Sequence, residues 1–557
     1  MMRDSFRVAL DAVPVLADLP GGDLFWWRED GHWHTHITID GDIQGNNQLP
    51  PGSLEKVRLL LVWFDAEGSP LDAQAIALRR KQSLFLDSRR LAQTFGRTIL
   101  AAHDGVLAIC LWPTEALPLE ARSAYARLFS LLDWHSEAGD LISLHSDQSF
   151  LAADHPCEFT EIVVRETADV RNTLVIVNGP LAQAAGSVTL RIANPAGATR
   201  TASHAPDMAP FSLHRIALAS LFPDLVAFGA GDCITVGGDF DSRGIYTRPY
   251  VITEGAQRGG YHGGDRYQWR SLPAFAYRLL GRGEVNPMFA IHNGELSTTV
   301  NLLNSHADLE ADYWVDARLY AEDGRLVATR ERWLLACRQG LSRGDIADLL
   351  PDPSQAFTGY LALNFSAHDG AFYPRHLQAL MEYRSAFGAA RVMAWSDHWN
   401  ARERIAELVG KLDRRITEPL WSADALPHPG RVFSGYYRVW HGGSIASWIA
   451  ISNPGTTPDY VRTVDYRLHL ESARGERQSM DGKLAAHATA FGPLEQFFPD
   501  AAALLGEDGV GMLRIESEAD LASIQLARHR RSGAWSAEHF MAGGSWFEGR
   551  YHIASGA

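Results

Sequence analysis

The chain predicts an all-β protein made of four tandem antiparallel sandwich units. Three observations carry that prediction. One strand-and-turn pattern is written four times, a second strand follows it at a nearly constant interval, and 557 residues are too many for one compact core.

The repeated pattern is "LLVWFDAEG" ending at Gly68, "TLRIANPAG" at Gly197, "DARLYAEDG" at Gly324 and "YRLHLESARG" at Gly475. Each alternates apolar and polar residues, as a half-buried strand must, and runs into a polar turn closed by glycine. A second, glycine-led strand starts 37, 34, 35 and 36 residues later, at Gly105, Gly231, Gly359 and Gly511. Between the two lie "LHRIALASLFPD", "DIADLLPD" and "PLEQFFPD", with "LFLDSRRLAQTFG" in their place in the first unit. Leu and Phe three or four apart predict a short helical crossover stopped near Pro. Another strand precedes each set, ending at Asn46 or Asn47, Asn178, Asn304 and Asn453.

The turn glycines are 129, 127 and 151 residues apart, far beyond a solenoid period, so each unit is expected to hold its own core. The predicted units are 1–150, 151–270, 271–400 and 431–557, with 401–430 a helical linker. "ARERIAELVGKLDRRI" supplies that helix, with Ile405, Leu408, Leu412 and Ile416 as its apolar stripe. A second inserted helix is expected in "PLEARSAYARLFSLLDW", through Tyr125, Leu128 and Leu132, although its end also reads as strand.

"ISNPGTT", an alternating strand, a polar turn, "PLEQFFPD" and "GMLRIES" together resemble the immunoglobulin-like β-sandwich repeats of bacterial multidomain proteins. The resemblance covers about the central hundred residues of each unit. It implies architecture alone, because such sandwiches serve binding, adhesion and spacing without a shared active site. The first unit departs most, lacking the Asn-Pro-Gly turn and the Phe-Pro-Asp stop.

Composition narrows the function classes. With 51 basic against 66 acidic residues the net charge is −15, which disfavours nucleic acid or an anionic membrane as the main partner. Cys110, Cys157, Cys233 and Cys337 are widely spaced and signal neither a zinc knuckle nor a disulfide framework. Asp11, Pro14 and Asp18 interrupt the first twenty residues, and no segment reaches transmembrane length, so a soluble, cytoplasmic protein without membrane insertion is expected. No phosphate loop, GxSxG elbow or HExxH is present.

Two histidine patterns stand out. In "GHWHTHITIDG", His32, His34 and His36 share the polar face of a predicted strand whose other face carries Trp33, Ile37 and Ile39. Same-face neighbours lie about 6.5 to 7 Å apart, so two imidazoles plus an outside carboxylate could hold zinc or iron, whereas three on a straight strand span too far. The alternative is a plain polar sheet face, for "GHWHTHITI" aligns with "GSIASWIAI" of the fourth unit. The second pattern pairs His with an acid at the end of each unit: His145 and Asp147, His262 and Asp265, Asp397 and His398, Glu538 and His539. Fourfold recurrence points to a structural corner. The sharper alternative is that the units curl round and bring His145, His262, His398 and His539 to one metal. Trp26, Trp27 and Trp33 would stack on sugars if exposed, and serve as core if not.

These features predict a non-catalytic binding or assembly protein with an unidentified protein or glycan ligand, carried by the first unit. The alternatives are a metal-dependent enzyme using the histidine strand and a carbohydrate-binding protein using the N-terminal aromatics.

Overall fold

The computed structural model describes residues 5–16, 19, 22–40, 56–79, 82–89, 102–112, 130–145, 157–183, 188–204, 207–231, 233–240, 249–256, 258–262, 272–273, 285–303, 313–336, 341–366, 372–373, 379–394, 433–454, 460–517, 521–539 and 541–542. They form several antiparallel sheets joined by short helical turns. Among them no helix is long and apolar enough to cross a membrane. The expected linker helix at 401–430 and most of the expected helix around Tyr125 lie outside the described residues. The end of the latter, including Leu132, is strand Ser130–Ser136.

Besides a short edge strand, Ser5–Arg7, which pairs with Pro70–Arg79, the first unit has eight strands that recur in the others: Gly22–Arg28, Trp33–Asp40, Lys56–Asp65, Pro70–Arg79, Ser83–Asp87, Asp104–Trp112, Ser130–Ser136 and Leu141–His145. Numbered one to eight, they form a sheet of order 4-3-6-1 facing a sheet of order 5-2-7-8. The same order returns from Cys157–Arg165 to Gly259–His262, from Val285–His292 to Gly388–Ala394, and from Phe433–Gly442 to Trp535–His539. In an immunoglobulin domain the first strand joins strands B and E. Here it lies beside strand six and meets strand two only at the hairpin end in units three and four, while strand seven runs along strand two.

Local chemistry explains the repetition. The four turn glycines adopt φ of 93°, 80°, 86° and 84°, which glycine reaches without a Cβ penalty. Each hairpin is closed by the same bonds, as Gly197 N–H donates to Asn194 O (2.9 Å) and Gly475 N–H to Ser472 O (2.9 Å). The crossovers are strand five followed by a helical turn, as in Leu213–Ala217 with Leu218–Leu221 and Thr489–Pro493 with Leu494–Phe497. Asn178 and Asn453, both 1% exposed, end strand two by donating to loop carbonyls. The Asn453 side chain reaches Arg462 O, Leu484 O and Ala485 O at 3.0 to 3.2 Å.

The expectation of self-contained beads is corrected at the seams. Val175, Val177, Tyr250 and Ile252 of unit two enter the apolar cluster of unit one. Leu341 and Leu380 of unit three enter that of unit two, and Ala450, Leu526, Trp535 and Ala537 of unit four enter that of unit three. Finally Leu131 and Phe85 of unit one pack with Tyr436, Tyr437 and Met512 of unit four. At every seam the 4-3-6-1 sheet of one unit meets the 5-2-7-8 sheet of the next, and unit four returns to unit one. The chain is therefore a closed ring of four units with approximate fourfold symmetry. Cores run across the seams because a sheet with two apolar faces must cover both.

Strand eight of each unit lines the middle of this ring, touching strand eight of both neighbours. The turns before these strands also meet in a circle. Asp140 pairs with Arg258, a Cβ on Gly388 would lie 2.9 Å from Arg258 O, a Cβ on Gly533 would lie 2.7 Å from Phe387, and Ser532 donates to Gly139 O.

Candidate functional site

A recurring corner fixes equivalent positions in the four units. Arg28 N–H donates to Thr35 Oγ1 (2.7 Å), Ile291 N–H to Thr298 Oγ1 (2.9 Å) and Trp440 N–H to Ser447 Oγ (2.8 Å), while Asn172 Nδ2 donates to Arg165 O (2.8 Å). Thr35, Asn172, Thr298 and Ser447 thus correspond. On strand seven they pair with Trp134, Thr253, Tyr383 and Ala527. On strand eight those pair in turn with Ile142, Gly259, Ala390 and Ser536.

Three positions further along strand eight stand His145, His262, Met393 and His539, opposite Leu131, Tyr250, Leu380 and Ile524. The register puts three of the four terminal histidines at equivalent positions of strand eight. It puts Met393, not His398, in the fourth place. Asp147, Asp265, Asp397 and His398 lie outside the described residues, as do the side chains of His145, His262 and Met393. His539 is partly exposed, with Nε2 3.6 Å from Oε1 of buried Glu538, and its backbone N–H donates to that carboxylate (2.9 Å).

The structure places the three histidines of the opening strand apart from one another. The strand begins at Trp33, so His32 sits in the preceding turn, beside Asp140 (3.1 Å) and Arg258 (3.2 Å). His34 is buried and donates through Nδ1 to Glu29 Oε1 (2.5 Å), while Arg89 donates to its Nε2. Ser88 donates to the same carboxylate rather than to the imidazole. His36 stacks on His135 with ring centroids 4.4 Å apart, and Trp440 of unit four stands edge-on to both. The three histidines therefore face three separate environments. Among the described residues no three His, Cys, Asp or Glu side chains gather in a way that could hold a metal ion.

The polar face of this strand is covered by unit four. Its burial sequence matches that of Ile445–Ser452 position by position, with one partly exposed residue, His36 or Trp448, in each. Asp133, fully buried beside His36, pairs with Arg438 and accepts from Trp440 Nε1 (3.2 Å). Arg438 also donates to Thr38 Oγ1 (3.0 Å) and Leu131 O (3.3 Å), and Arg514 pairs with Asp40. Burial alone would raise the Asp133 carboxyl, but Arg438 and His135 hold it below the usual carboxylate range. Burial lowers His135, which favours the neutral imidazole. The polar face is the chemistry of the seam that closes the ring.

Trp26, Trp27 and Trp33 are 5%, 0% and 2% exposed. Trp26 packs against Trp134 (5.2 Å), Trp27 against Trp63 (5.5 Å) with its Nε1 donating to Phe64 O (3.0 Å), and Arg28 lies over Trp33 (5.1 Å). They are core residues with no face left for a sugar.

No family model matches the chain, and no curated protein matches it. One solved structure, described as "Crystal structure of tetra-tandem repeat in extending region of large adhesion protein", aligns over 94% of this chain and 99% of its own at 9% identity, with a TM-score of 0.11. That similarity is too low to carry an argument about fold or role.

Proposed function

We propose that this protein is a non-catalytic ligand-binding ring, with a transition-metal cation as the candidate ligand and the strand-eight positions of His145, His262 and His539 as its candidate site. The single observation behind this reading is their common register on strand eight of three units that adjoin around one centre. Imidazole is a good ligand for zinc, copper, iron and nickel, and adjoining chains can bring three to one ion where a single straight strand cannot.

Elemental analysis of full-length protein, stripped with a chelator, reloaded with zinc or copper salts and desalted, tests this. The parent and a His32→Ala control are expected to retain about one equivalent per chain. A His145→Ala, His262→Ala, His539→Ala variant with unchanged elution volume should retain little. Equal metal in parent and triple variant would overturn the reading.

A further inference from the structure

Unit two carries a pair of imidazoles at the open edge of its sandwich. His204 ends the strand Thr199–His204, the edge of one sheet, and His214 lies in Leu213–Ala217, the edge of the other. Their Nε2 atoms are 2.7 Å apart and their ring centroids 4.9 Å apart, so the ring tips meet. Backbone pairing sets His204 opposite Val188 and His214 opposite Ile176, both core residues of this unit. Directly paired residues share a face, so both histidines lie on the inner faces of their sheets. Both remain partly exposed. The other units place no imidazole there. Counted from the same hairpin bond, Ile76, Leu334 and Gly482 stand in the place of His204. Counted from the shared corner, Leu84, Ser342 and Ala490 stand in that of His214. Unit two thus departs from apolar or small residues at two facing positions, and does so with the same side chain at both.

Two neutral rings that meet at Nε2 hold one hydrogen between them, since one must donate for the other to accept. With both hydrogens on Nδ1 instead, the two Nε2 lone pairs are left to a cation. An ion about 2.0 to 2.1 Å from each nitrogen needs them roughly 3 to 3.5 Å apart, an opening of under about 1 Å that partly exposed side chains make by rotation. Burial and the facing His204 ring lower His214, which keeps its nitrogen in the neutral, ligating form at neutral pH. The stacked rings of His36 and His135 offer no such opening, because Trp440 stands against both. Independently of the axial histidines, we infer that His204 and His214 form a two-imidazole site for a late first-row dication that ties the two sheets of unit two together at their open edge. No third His, Cys, Asp or Glu among the described residues completes the set, so water fills the remaining positions. That ligand set suits tetragonal Cu(II) better than a closed zinc site, and the Irving–Williams order favours the same ion.

The test titrates metal-free, full-length protein with Cu(II) against a competing chelator. His204→Gln and His214→Gln are each expected to lose about one equivalent relative to the parent, or to weaken it at least tenfold, whereas a His32→Gln control loses none. Cu(II) should raise the melting temperature of the parent more than that of either variant, because an ion held by both sheets favours the folded chain. A hydrogen bond with a packing role alone would leave the metal-dependent part of that shift unchanged. The His145→Ala, His262→Ala, His539→Ala variant separates this site from the axial one. On that background the remaining ion should show two imidazole nitrogens by pulsed electron paramagnetic resonance, and adding His204→Gln should remove at least one of them. The inference falls if both single variants bind Cu(II) as the parent does, if only one of the two histidines matters, or if no ion with two imidazoles is found. The axial reading is decided separately, by whether the triple variant binds less metal than the parent.

Discussion

Asp133 and Arg438 form a fully buried ion pair that joins the first unit to the last. Among the described residues, other seams carry ion pairs with a partly exposed arginine, such as Arg215 with Asp104 and Arg258 with Asp140 between units one and two and Arg528 with Glu295 (3.2 Å) between units three and four. The closing seam instead spends buried charge, twice, since Asp40 and Arg514 repeat the arrangement. A buried pair contributes little net stability against an apolar replacement but fixes register, because a misaligned partner leaves a charge unmatched.

Breaking the pair from one side should therefore be costly. Arg438→Met leaves Asp133 buried without its counter-charge and is expected to lose about 3 to 5 kcal/mol in urea unfolding. The double variant Asp133→Leu, Arg438→Met should recover most of that loss. A double variant as unstable as the single would show that the two residues act separately.

The same seam should respond to acid. Burial depresses His135, so the unfolded chain takes up its proton first, and stability falls as pH drops below the ordinary imidazole value of 6.5. His214 and His529, also lowered by burial, act in the same direction. Asp133 is held below the usual carboxylate range, so its contribution is complete at neutral pH and is lost only at lower pH, as its folded-state value is passed. Melting temperature followed between about pH 7 and pH 5 should decline in the parent and decline less in His135→Gln, with part of the slope remaining. An unchanged slope in His135→Gln would remove His135 from the account.

The turn glycines offer a graded test of the ring. Gly475 has φ 84° and open space where a Cβ would stand, so Gly475→Ala should cost only the left-handed backbone penalty, about 1 to 2 kcal/mol. At Gly324, φ 86°, an added Cβ would lie 2.3 Å from Ala486 O of the next unit. Gly324→Ala should cost more than Gly475→Ala in the same unfolding assay. Equal costs would mean that the hairpin does not bear on the neighbouring unit.

Much of the fold is legible in the sequence because it rests on local rules. Alternation names the strands, and glycine at positive φ names the hairpins at Gly68, Gly197, Gly324 and Gly475. The alignment of the histidine strand with "GSIASWIAI" is reproduced by the shared Thr35 and Ser447 corner. What stays hidden is what covers the second face. Thr38 and Asp40 fall on the polar side of the strand's alternation, yet their partners Arg438 and Arg514 lie in the last unit, some 400 residues away in the case of Thr38. The terminal motif is visible as a repeat, but matching "AWSD" to "AWSA" by letters favours His398, whereas backbone pairing puts Met393 in the fourth place. Side-chain type is written in the sequence, and register between distant strands is not.

Because every seam joins one kind of sheet to the other, each unit is a plug at one end and a socket at the other. Such head-to-tail joints stop growing only when the accumulated turn reaches a full circle, and here that happens at four. Copy number is thus dictated by the angle between successive units. A shortened chain of three would be left with a bare plug and a bare socket, and would polymerise with its fellows.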